Sequence, residues 1–225
     1  MIASHADSAY KEKMNTATID IKTAQKHFAS ADPLMARLLH NAITGAHPFT
    51  LPQRKKPNEY FASIVSSIIG QQISTKAADA VRGRVLAHLG DFITPQAVQQ
   101  ADFDELKSCG LSNQKTKYIK YNAEVWSDIA IHEFTSMDNE AIIAELTKLY
   151  GIGRWTAEMF LIFSLARPDV FSYGDFGLMK GLYQSYDYKP RYVRKIKTTV
   201  DGWSPHQTVA SLTLWSSLNN APVLK

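Results

Sequence analysis

Residues 138–175 have the sequence DNEAIIAELTKLYGIGRWTAEMFLIFSLARPDVFSYGD. The first part places apolar residues at helical spacing behind Asp138, a favourable N-cap residue, and predicts an amphipathic helix that extends to Leu149. A Gly-Ile-Gly turn follows at 151–153. Its first glycine is suited to the left-handed residue that ends a helix, and its second permits the close approach of another backbone. The stretch therefore predicts a hairpin of two helices at about residues 138–166.

The second helix of this hairpin is predicted from Arg154 to about Ala166. The N–H groups in the first turn of a helix have no acceptor within the helix, and the helix dipole favours an anion at that end. A DNA phosphate is such an anion. We therefore predict DNA contacts from the turn and the start of the second helix, at Gly151, Gly153, Arg154 and Thr156.

A loop with Pro168 and Gly174 follows the hairpin and ends at Asp175, just ahead of another helical pattern. Asp175 lies 22 residues after Gly153 (175 − 153). An aspartate ahead of a helix is a common N-cap, so its spacing alone leaves a capping role and a catalytic role open.

The hairpin, the spaced Asp175 and the segment IGQQIS at 69–74 together resemble the helix-hairpin-helix DNA glycosylase superfamily. The similarity is greatest to its 3-methyladenine DNA glycosylase II (alkylbase glycosylase) branch and covers about residues 30–220. It implies an all-α fold of two compact lobes with the active site in the cleft between them. It also implies that this chain lacks the additional N-terminal α/β domain of other members.

The periodicity of the chain agrees with an all-α class, because no convincing alternation typical of strands occurs. We expect a flexible N-terminus at residues 1–18 and a single helical domain of two lobes at 19–225. Near the C-terminal end, Ser204-Pro205-His206-Gln207 has the pattern of a capping box and predicts a last helix to about Leu218.

Composition narrows the function classes. Cys109 is the single cysteine among 225 residues, which excludes a disulfide framework or a four-cysteine iron–sulfur cluster within this chain. A formal net charge of +4 mildly favours a polyanionic partner. No apolar run approaches the ~18 residues of a membrane span, and the first residues lack a signal-peptide pattern. We expect an intracellular, DNA-associated monomer, in the cytoplasm or nucleoid, or in the nucleus of a eukaryote, with no membrane partner.

Two neutral amides, Gln71 and Gln72, occupy the turn between two apolar helices. They could cap the helices and provide surface polarity. In the family that the chain resembles, a side chain from this turn enters the gap left by a flipped nucleotide, and an amide is long, uncharged and able to bond base edges. We predict Gln72 as this plug with support from Gln71. A second helix–Gly–helix segment indicates a plain structural hairpin, with a backbone contact to DNA through Lys115 or Lys117 as the alternative.

The resemblance implies that Asp175 is the catalytic residue. Hydrolysis of an N-glycosidic bond passes through a sugar with oxocarbenium character, which a fixed carboxylate near C1′ stabilises while it orients or deprotonates water. Bifunctional members place a nucleophilic lysine where this chain has Trp155. An indole has no nucleophilic amine, so we predict a monofunctional enzyme that leaves an abasic site.

The resemblance also implies a base pocket walled by Trp155, Met159 and Trp215, where a relative can carry an aromatic residue in place of the methionine. Electron-rich rings attract a cationic alkylated purine, such as 3-methyladenine or 7-methylguanine, by about 0.5–2 kcal/mol each. Core packing is the alternative role for Trp155 and Trp215, and it is the role expected of Trp126 and Trp203.

We expect no cofactor and no metal bound by side chains, because the seven histidines are scattered and no Cys-x-x-Cys occurs. The resemblance implies that a monovalent cation, Na⁺ or K⁺, can lie at the hairpin carbonyls of Thr147, Leu149 and Ile152.

The leading interpretation is a monofunctional DNA glycosylase for alkylated purines in double-stranded DNA that contains damaged bases, acting in base excision repair. Two alternatives stay open: a hairpin DNA-binding protein with little catalysis, and a glycosylase for a neutral lesion such as hypoxanthine. No charged acid is evident to protonate the leaving base, which favours substrates whose glycosidic bond is already weakened by positive charge.

Overall fold

The computed structural model describes residues 18–46, 48–90 and 92–219, and these residues form α-helices and no β-strand. The all-α class predicted from the sequence is confirmed. The segment expected to be flexible lies outside the described residues as far as residue 17. The helices are α1 (Ile21–Ala31), α2 (Pro33–Thr44), α3 (Tyr60–Gly70), α4 (Thr75–Leu89), α5 (Pro95–Gln100), α6 (Phe103–Ser108), α7 (Asn113–Glu124), α8 (Asn139–Leu146), α9 (Arg154–Phe163), α10 (Phe176–Tyr186), α11 (Val193–Asp201) and α12 (Gln207–Asn219).

Short 3₁₀ helices occur at Pro57–Glu59, Trp126–Asp128 and Ile131–Glu133. Within the described ranges, no helix has the length and apolar character needed to cross a membrane.

The chain divides into two compact units. Unit A comprises residues 1–53 and 161–225, and unit B comprises residues 54–160. The boundary falls inside α9, so this helix contributes residues to both units.

Unit A is built around α12. This helix packs against α2 and α10, and α1 packs against α2. A β-carbon added at Gly181 of α10 would lie 2.9 Å from the carbonyl oxygen of Leu214 on α12, so only glycine allows the two helices to approach this closely. The core of the unit consists of buried apolar residues that include Phe28, Met35, Leu39, Leu178, Leu182, Ile196, Val200, Trp203, Val209 and Leu214.

Asp32 joins three parts of unit A. Its Oδ1 accepts a hydrogen bond from the N–H of Met35 at 3.0 Å and so caps α2. Its Oδ2 accepts bonds from the Tyr186 hydroxyl at 2.7 Å and from Nε1 of Trp203 at 2.8 Å. Burial, with this bond to Asp32, raises the pKa of Tyr186. The carboxylate therefore ties the start of α2 to the end of α10 and to the fully buried Trp203.

Unit B is centred on α3 and α7. α3 packs against α4 and α7, and α5 and α6 also pack against α7. Phe61 of α3 is buried and meets the ring of Trp126 edge-on at a centroid distance of 5.1 Å. The core role predicted for Trp126 and Trp203 is confirmed, since their exposed fractions are 8% and 0%.

The capping box predicted at Ser204 is wrong. α12 begins at Gln207, and its N-terminus is held by Asp169, whose Oδ1 accepts the N–H of Gln207 at 3.2 Å. Ser204 uses its hydroxyl to donate to Oδ2 of the same carboxylate at 2.6 Å. A carboxylate is a stronger acceptor than a hydroxyl, so the loop residue takes the place that the local pattern assigned to the serine.

Candidate active site

The hairpin predicted from the sequence is present as α8 and α9. Asp138 caps α8 as predicted, accepting the N–H of Ala141 at 2.8 Å. α8 ends at Leu146, three residues before the predicted end, and α9 ends at Phe163 rather than near Ala166. Each helix is therefore shorter than its apolar pattern, because the apolar residues beyond its end pack as parts of turns.

Gly151 has the predicted left-handed conformation, with φ of +76°. A β-carbon at this position would lie 2.5 Å from the ring of Tyr118, so both the backbone conformation and the close contact require glycine. The first hydrogen bond of α9 runs from the N–H of Ala157 to the carbonyl of Gly153 at 3.0 Å. The amides of the preceding turn, which includes Thr156, therefore have no acceptor within the helix.

Arg154 is exposed but engaged. Its guanidinium donates to Oε2 of Glu140 and to Oε1 of Glu158, each at 2.9 Å. The bond from Arg154 lowers the pKa of Glu140, and the bond to Glu140 raises the pKa of Arg154. Arg154 thus joins α8 to α9, and its predicted DNA contact would add to this role.

The two amides of the 71–72 turn have different environments. α3 ends at Gly70, and the Nε2 of Gln71 donates to the carbonyl of Gly151 in the hairpin turn at 2.8 Å. Gln72 is exposed and has a left-handed backbone with φ of +59°. The structure therefore gives Gln71 an intramolecular partner and leaves Gln72 as the projecting amide.

Lys115 has an intramolecular role that its sequence did not reveal. Its Nζ donates to the carbonyls of Ile69 at 2.8 Å and Gln71 at 2.6 Å. Burial lowers the pKa of Lys115. The last carbonyls of a helix lack intrahelical donors, and an ammonium binds well at this negative end of the dipole. The DNA contact of Lys115 stays a prediction.

The Gln72 turn comprises residues 71–74, between α3 and α4. A cavity of about 480 Å³ adjoins this turn in unit B. Trp155 and Met159, two predicted pocket residues, line it, and Trp155 is 47% exposed rather than packed in the core. Its other lining residues are Ser66, Ser67, Gly70, Gln71, Gln72 and Thr156. Sequence reasoning missed the two serines, since a hydroxyl on a helix carries no distinctive pattern.

Asp175 occupies the N-cap of α10 in unit A. Its Oδ1 accepts the N–H of Leu178 at 2.7 Å and Nε1 of Trp215 at 3.0 Å. The residue is only 8% exposed, so the carboxylate is held in one orientation beside the positive end of a helix dipole. Capping, which the sequence left as an alternative role, is observed and does not prevent a chemical role.

Trp215 contacts the carboxylate in addition to being a large aromatic surface. Its ring stacks on Phe163 with a centroid distance of 5.8 Å and an interplanar angle of 27°. The sequence predicted Trp215 as a pocket wall and gave no sign of the bond from its indole N–H to Asp175 or of the contact with Phe163.

Replacing Trp215 with phenylalanine tests the bond to Asp175. The Trp215→Phe ring can still stack on Phe163, but it has no N–H to orient the carboxylate. We expect excision to slow about tenfold, equivalent to about 1.4 kcal/mol, with little change in melting temperature. Single-turnover excision and thermal unfolding measure the two effects, and an unchanged excision rate would contradict the orienting role.

Three hairpin carbonyls, those of Thr147, Leu149 and Ile152, are the predicted ligands of a cation. The carbonyl of Leu149 accepts the N–H of Ile152 at 3.3 Å, and a carbonyl retains a second lone pair when it accepts one bond. The site predicted at Thr147, Leu149 and Ile152 is compatible with this turn and stays a prediction. Over the ranges that the structure describes, no group of three or more His, Cys, Asp or Glu side chains is placed to hold a metal ion.

Comparison with known proteins decides the family. The model of the HhH-GPD superfamily base excision DNA repair proteins matches residues 65–205, which include the Gln72 turn, the hairpin and Asp175. The chain belongs to this superfamily. Within the HhH-GPD superfamily, it is 30% identical over 226 residues to DNA-3-methyladenine glycosylase 1 of Schizosaccharomyces pombe, covering 97% of this chain and 96% of that protein.

Solved structures of HhH-GPD proteins have the same fold. The S. pombe 3-methyladenine DNA glycosylase in complex with abasic DNA has a TM-score of 0.72 and 30% identity, over 90% of this chain and all of that one (100%). The DNA-3-methyladenine glycosidase of Bacillus halodurans has a TM-score of 0.71 and 34% identity, over 83% of this chain and 88% of that one.

Proposed function

We propose that this protein is a monofunctional DNA glycosylase that removes alkylated purines of the 3-methyladenine and 7-methylguanine type and leaves an abasic site for base excision repair. The observation that carries the proposal is the buried carboxylate of Asp175, fixed by α10 and by Trp215 in a chain of the HhH-GPD superfamily. The names of the S. pombe and B. halodurans relatives support the same substrate class.

Asp175 acts on the sugar in this proposal. As the N-glycosidic bond lengthens, positive charge develops at C1′ and the ring oxygen, and an oriented carboxylate stabilises it. The same carboxylate orients or deprotonates the water that attacks C1′. The N–H of Leu178 and the indole N–H of Trp215 hold Oδ1 of Asp175 before DNA binds. The carboxylate therefore needs little rearrangement to act.

Trp155 acts on the base. Its half-exposed ring lines the cavity of unit B, where it can stack on a cationic alkylpurine. Positive charge on such a base also weakens the glycosidic bond, so the enzyme needs little help for the leaving group. Trp155 has no amine for a Schiff base, which supports hydrolysis without strand cleavage.

Double-stranded DNA with damaged bases is the proposed partner, and the protein acts as an intracellular monomer. Gln72 fills the gap left by the flipped nucleotide, since it is exposed in the turn that follows α3. The hairpin turn and the first turn of α9 bind the phosphate backbone.

Release of free base from a panel of single-lesion duplexes tests this function. We expect chromatography to detect 3-methyladenine and 7-methylguanine, and little hypoxanthine. Comparable release of hypoxanthine would favour the neutral-lesion enzyme, and lesion binding without release of any base would favour a non-catalytic binding protein.

Gln72→Gly separates the plug from the stability of its turn. Glycine adopts a positive φ without steric cost, so we expect the melting temperature to stay within a few degrees of the wild type. Loss of the amide should slow excision about tenfold, because extrusion costs a few kcal/mol that the plug offsets in part. Excision as fast as in the wild type would contradict the plug role.

A further inference from the structure

One face of α7 contacts both of the turns that the proposed function places against DNA. Lys115, Tyr118 and Asn122 lie at positions i, i+3 and i+7 of this helix and therefore share a face. Lys115 bonds the turn that carries Gln72, and the ring of Tyr118 lies against Gly151 of the hairpin turn. α7 is thus positioned to fix both turns.

At the Gln72 turn, the contacts of Lys115 fall immediately before a strained residue. The ammonium binds the carbonyls of Ile69 and Gln71, and the next residue, Gln72, has a φ of +59° that non-glycine residues rarely adopt. Beyond it, the hydroxyl of Ser74 accepts the N–H of Ala77 and caps α4. A strained backbone of this kind persists where the chain on both sides is held, and it recurs at functional sites.

At the hairpin turn, the oxygen and the nitrogen of the Asn122 side chain both bond the backbone of Tyr150. Asn122 is fully buried; its Oδ1 accepts the N–H of Tyr150 at 2.8 Å, and its Nδ2 donates to the carbonyl of Tyr150 at 3.0 Å. Paired bonds to the donor and the acceptor of the same residue fix both the position and the orientation of that peptide segment.

Gln71 connects the two turns directly. Its Nε2 donates to the carbonyl of Gly151, the residue after Tyr150, at 2.8 Å. Hydrogen bonds thus link α7, the Gln72 turn and the hairpin turn in a closed circuit. They run from Lys115 to the Gln72 turn, from Gln71 to the hairpin turn and from Asn122 to Tyr150. A closed circuit restrains the separation of the turns more than any single bond does.

We propose that Lys115 and Asn122 are positioning residues that hold the Gln72 turn and the hairpin turn in one arrangement, and that excision depends on this arrangement. The inference rests on the proposed function, since that function gives Gln72 and the hairpin their roles at DNA. Lys115 acts through Gln72, and it does not bind phosphate.

A double-mutant cycle between Lys115 and Gln72 tests this role. Lys115→Met keeps the length of the side chain and removes the donor, and Gln72→Ala removes the plug. We expect Lys115→Met to slow single-turnover excision about tenfold, and the double variant to be no slower than Gln72→Ala alone, a non-additivity of at least about fivefold. Affinity for undamaged duplex and its dependence on salt should match the wild type.

Lys120→Met is the matched control. Lys120 lies on the same helix and donates in the same way to the carbonyls of Val98, Gln99 and Ala101 near the end of α5. Lys120→Met should lower the melting temperature as much as Lys115→Met does. Any decrease in the excision rate caused by Lys120→Met should multiply with the decrease caused by Gln72→Ala.

Amide hydrogen exchange without DNA tests the holding role independently of catalysis. Lys115→Met should speed exchange at residues 69–74, Asn122→Ala should speed it at residues 150–153, and Lys120→Met should leave both segments protected. Unchanged exchange in the first two variants, or excision effects that multiply in the double variant, would overturn the inference.

A salt slope lowered by about 1 in Lys115→Met would show a phosphate contact instead. Absence of excision by the wild type together with faster exchange in the variants would refute the proposed function and leave the holding role supported.

Discussion

Asp175→Asn is expected to lower the single-turnover rate of base excision at least about 10³-fold, equivalent to about 4 kcal/mol of transition-state stabilisation. The amide has the shape of the carboxylate but no charge to oppose that of the oxocarbenium-like sugar, and it cannot take a proton from water. Its oxygen can still accept the N–H groups of Leu178 and Trp215, so the site should keep its geometry. The measurement is excision from a duplex with a single alkylated purine at saturating enzyme.

Asp20→Asn is the control for this change. Asp20 also caps a helix of unit A, accepting the N–H of Lys22 at 2.9 Å, and it has no part in the proposed chemistry. We expect Asp20→Asn to excise as fast as the wild type and Asp175→Asn to bind lesion DNA as tightly as the wild type. Loss of excision in Asp175→Asn through loss of DNA binding would point to a structural role for Asp175.

Asp32→Ala is expected to cost about 3–5 kcal/mol of stability and to lower the melting temperature by about 10 °C. The change removes the cap of α2 and leaves the indole N–H of the fully buried Trp203 without its carboxylate. The bond from the Tyr186 hydroxyl is lost as well. Chemical and thermal unfolding, monitored by circular dichroism, measure the effect.

Asp20→Ala provides the comparison for this stability effect, because Asp20 is exposed and caps α1 by accepting the N–H of Lys22. A much smaller fall in melting temperature is expected for this variant. Equal losses in the two variants would mean that capping alone accounts for the role of Asp32, and that the bonds to Tyr186 and Trp203 contribute little.

The sequence alone was sufficient to predict the conformation of a residue wherever its near neighbours in the chain determine that conformation. The Gly-Ile-Gly turn predicted a left-handed Gly151, and Asp138 and Asp175 were placed ahead of helices that they cap. In each case, the residue type and its place relative to an apolar period carry the whole signal.

Local patterns were insufficient where a partner from elsewhere in the chain competes with the local one. The capping box at Ser204 had the right pattern, but the carboxylate of Asp169 lies 35 residues earlier and displaces the hydroxyl. The intramolecular acceptors of Lys115 could not be predicted from local sequence, because they lie 46 and 44 residues away; its contact with DNA stays a prediction.

The positioning role of Asn122 was not predicted from the sequence, although its place in the helix gives one indication of it. Asn122 lies beside Ile119 and Ala123 among the buried residues of α7, and a polar side chain in such a position usually has a specific partner. The identity of that partner, the backbone of Tyr150, depends on the tertiary fold. Trp215 is similar, since nothing in its own segment indicates a bond to Asp175.

Strand breakage in methylated duplex DNA, counted with and without alkali, tests the central claim most directly. A monofunctional glycosylase predicts abundant breaks after alkali treatment and none above background without it, because the product is an intact strand with abasic sites. Breaks that appear without alkali would contradict the account, since they would require a nucleophile that Trp155 does not provide. Absence of breaks under both conditions, from protein that binds the damaged duplex, would contradict it as well.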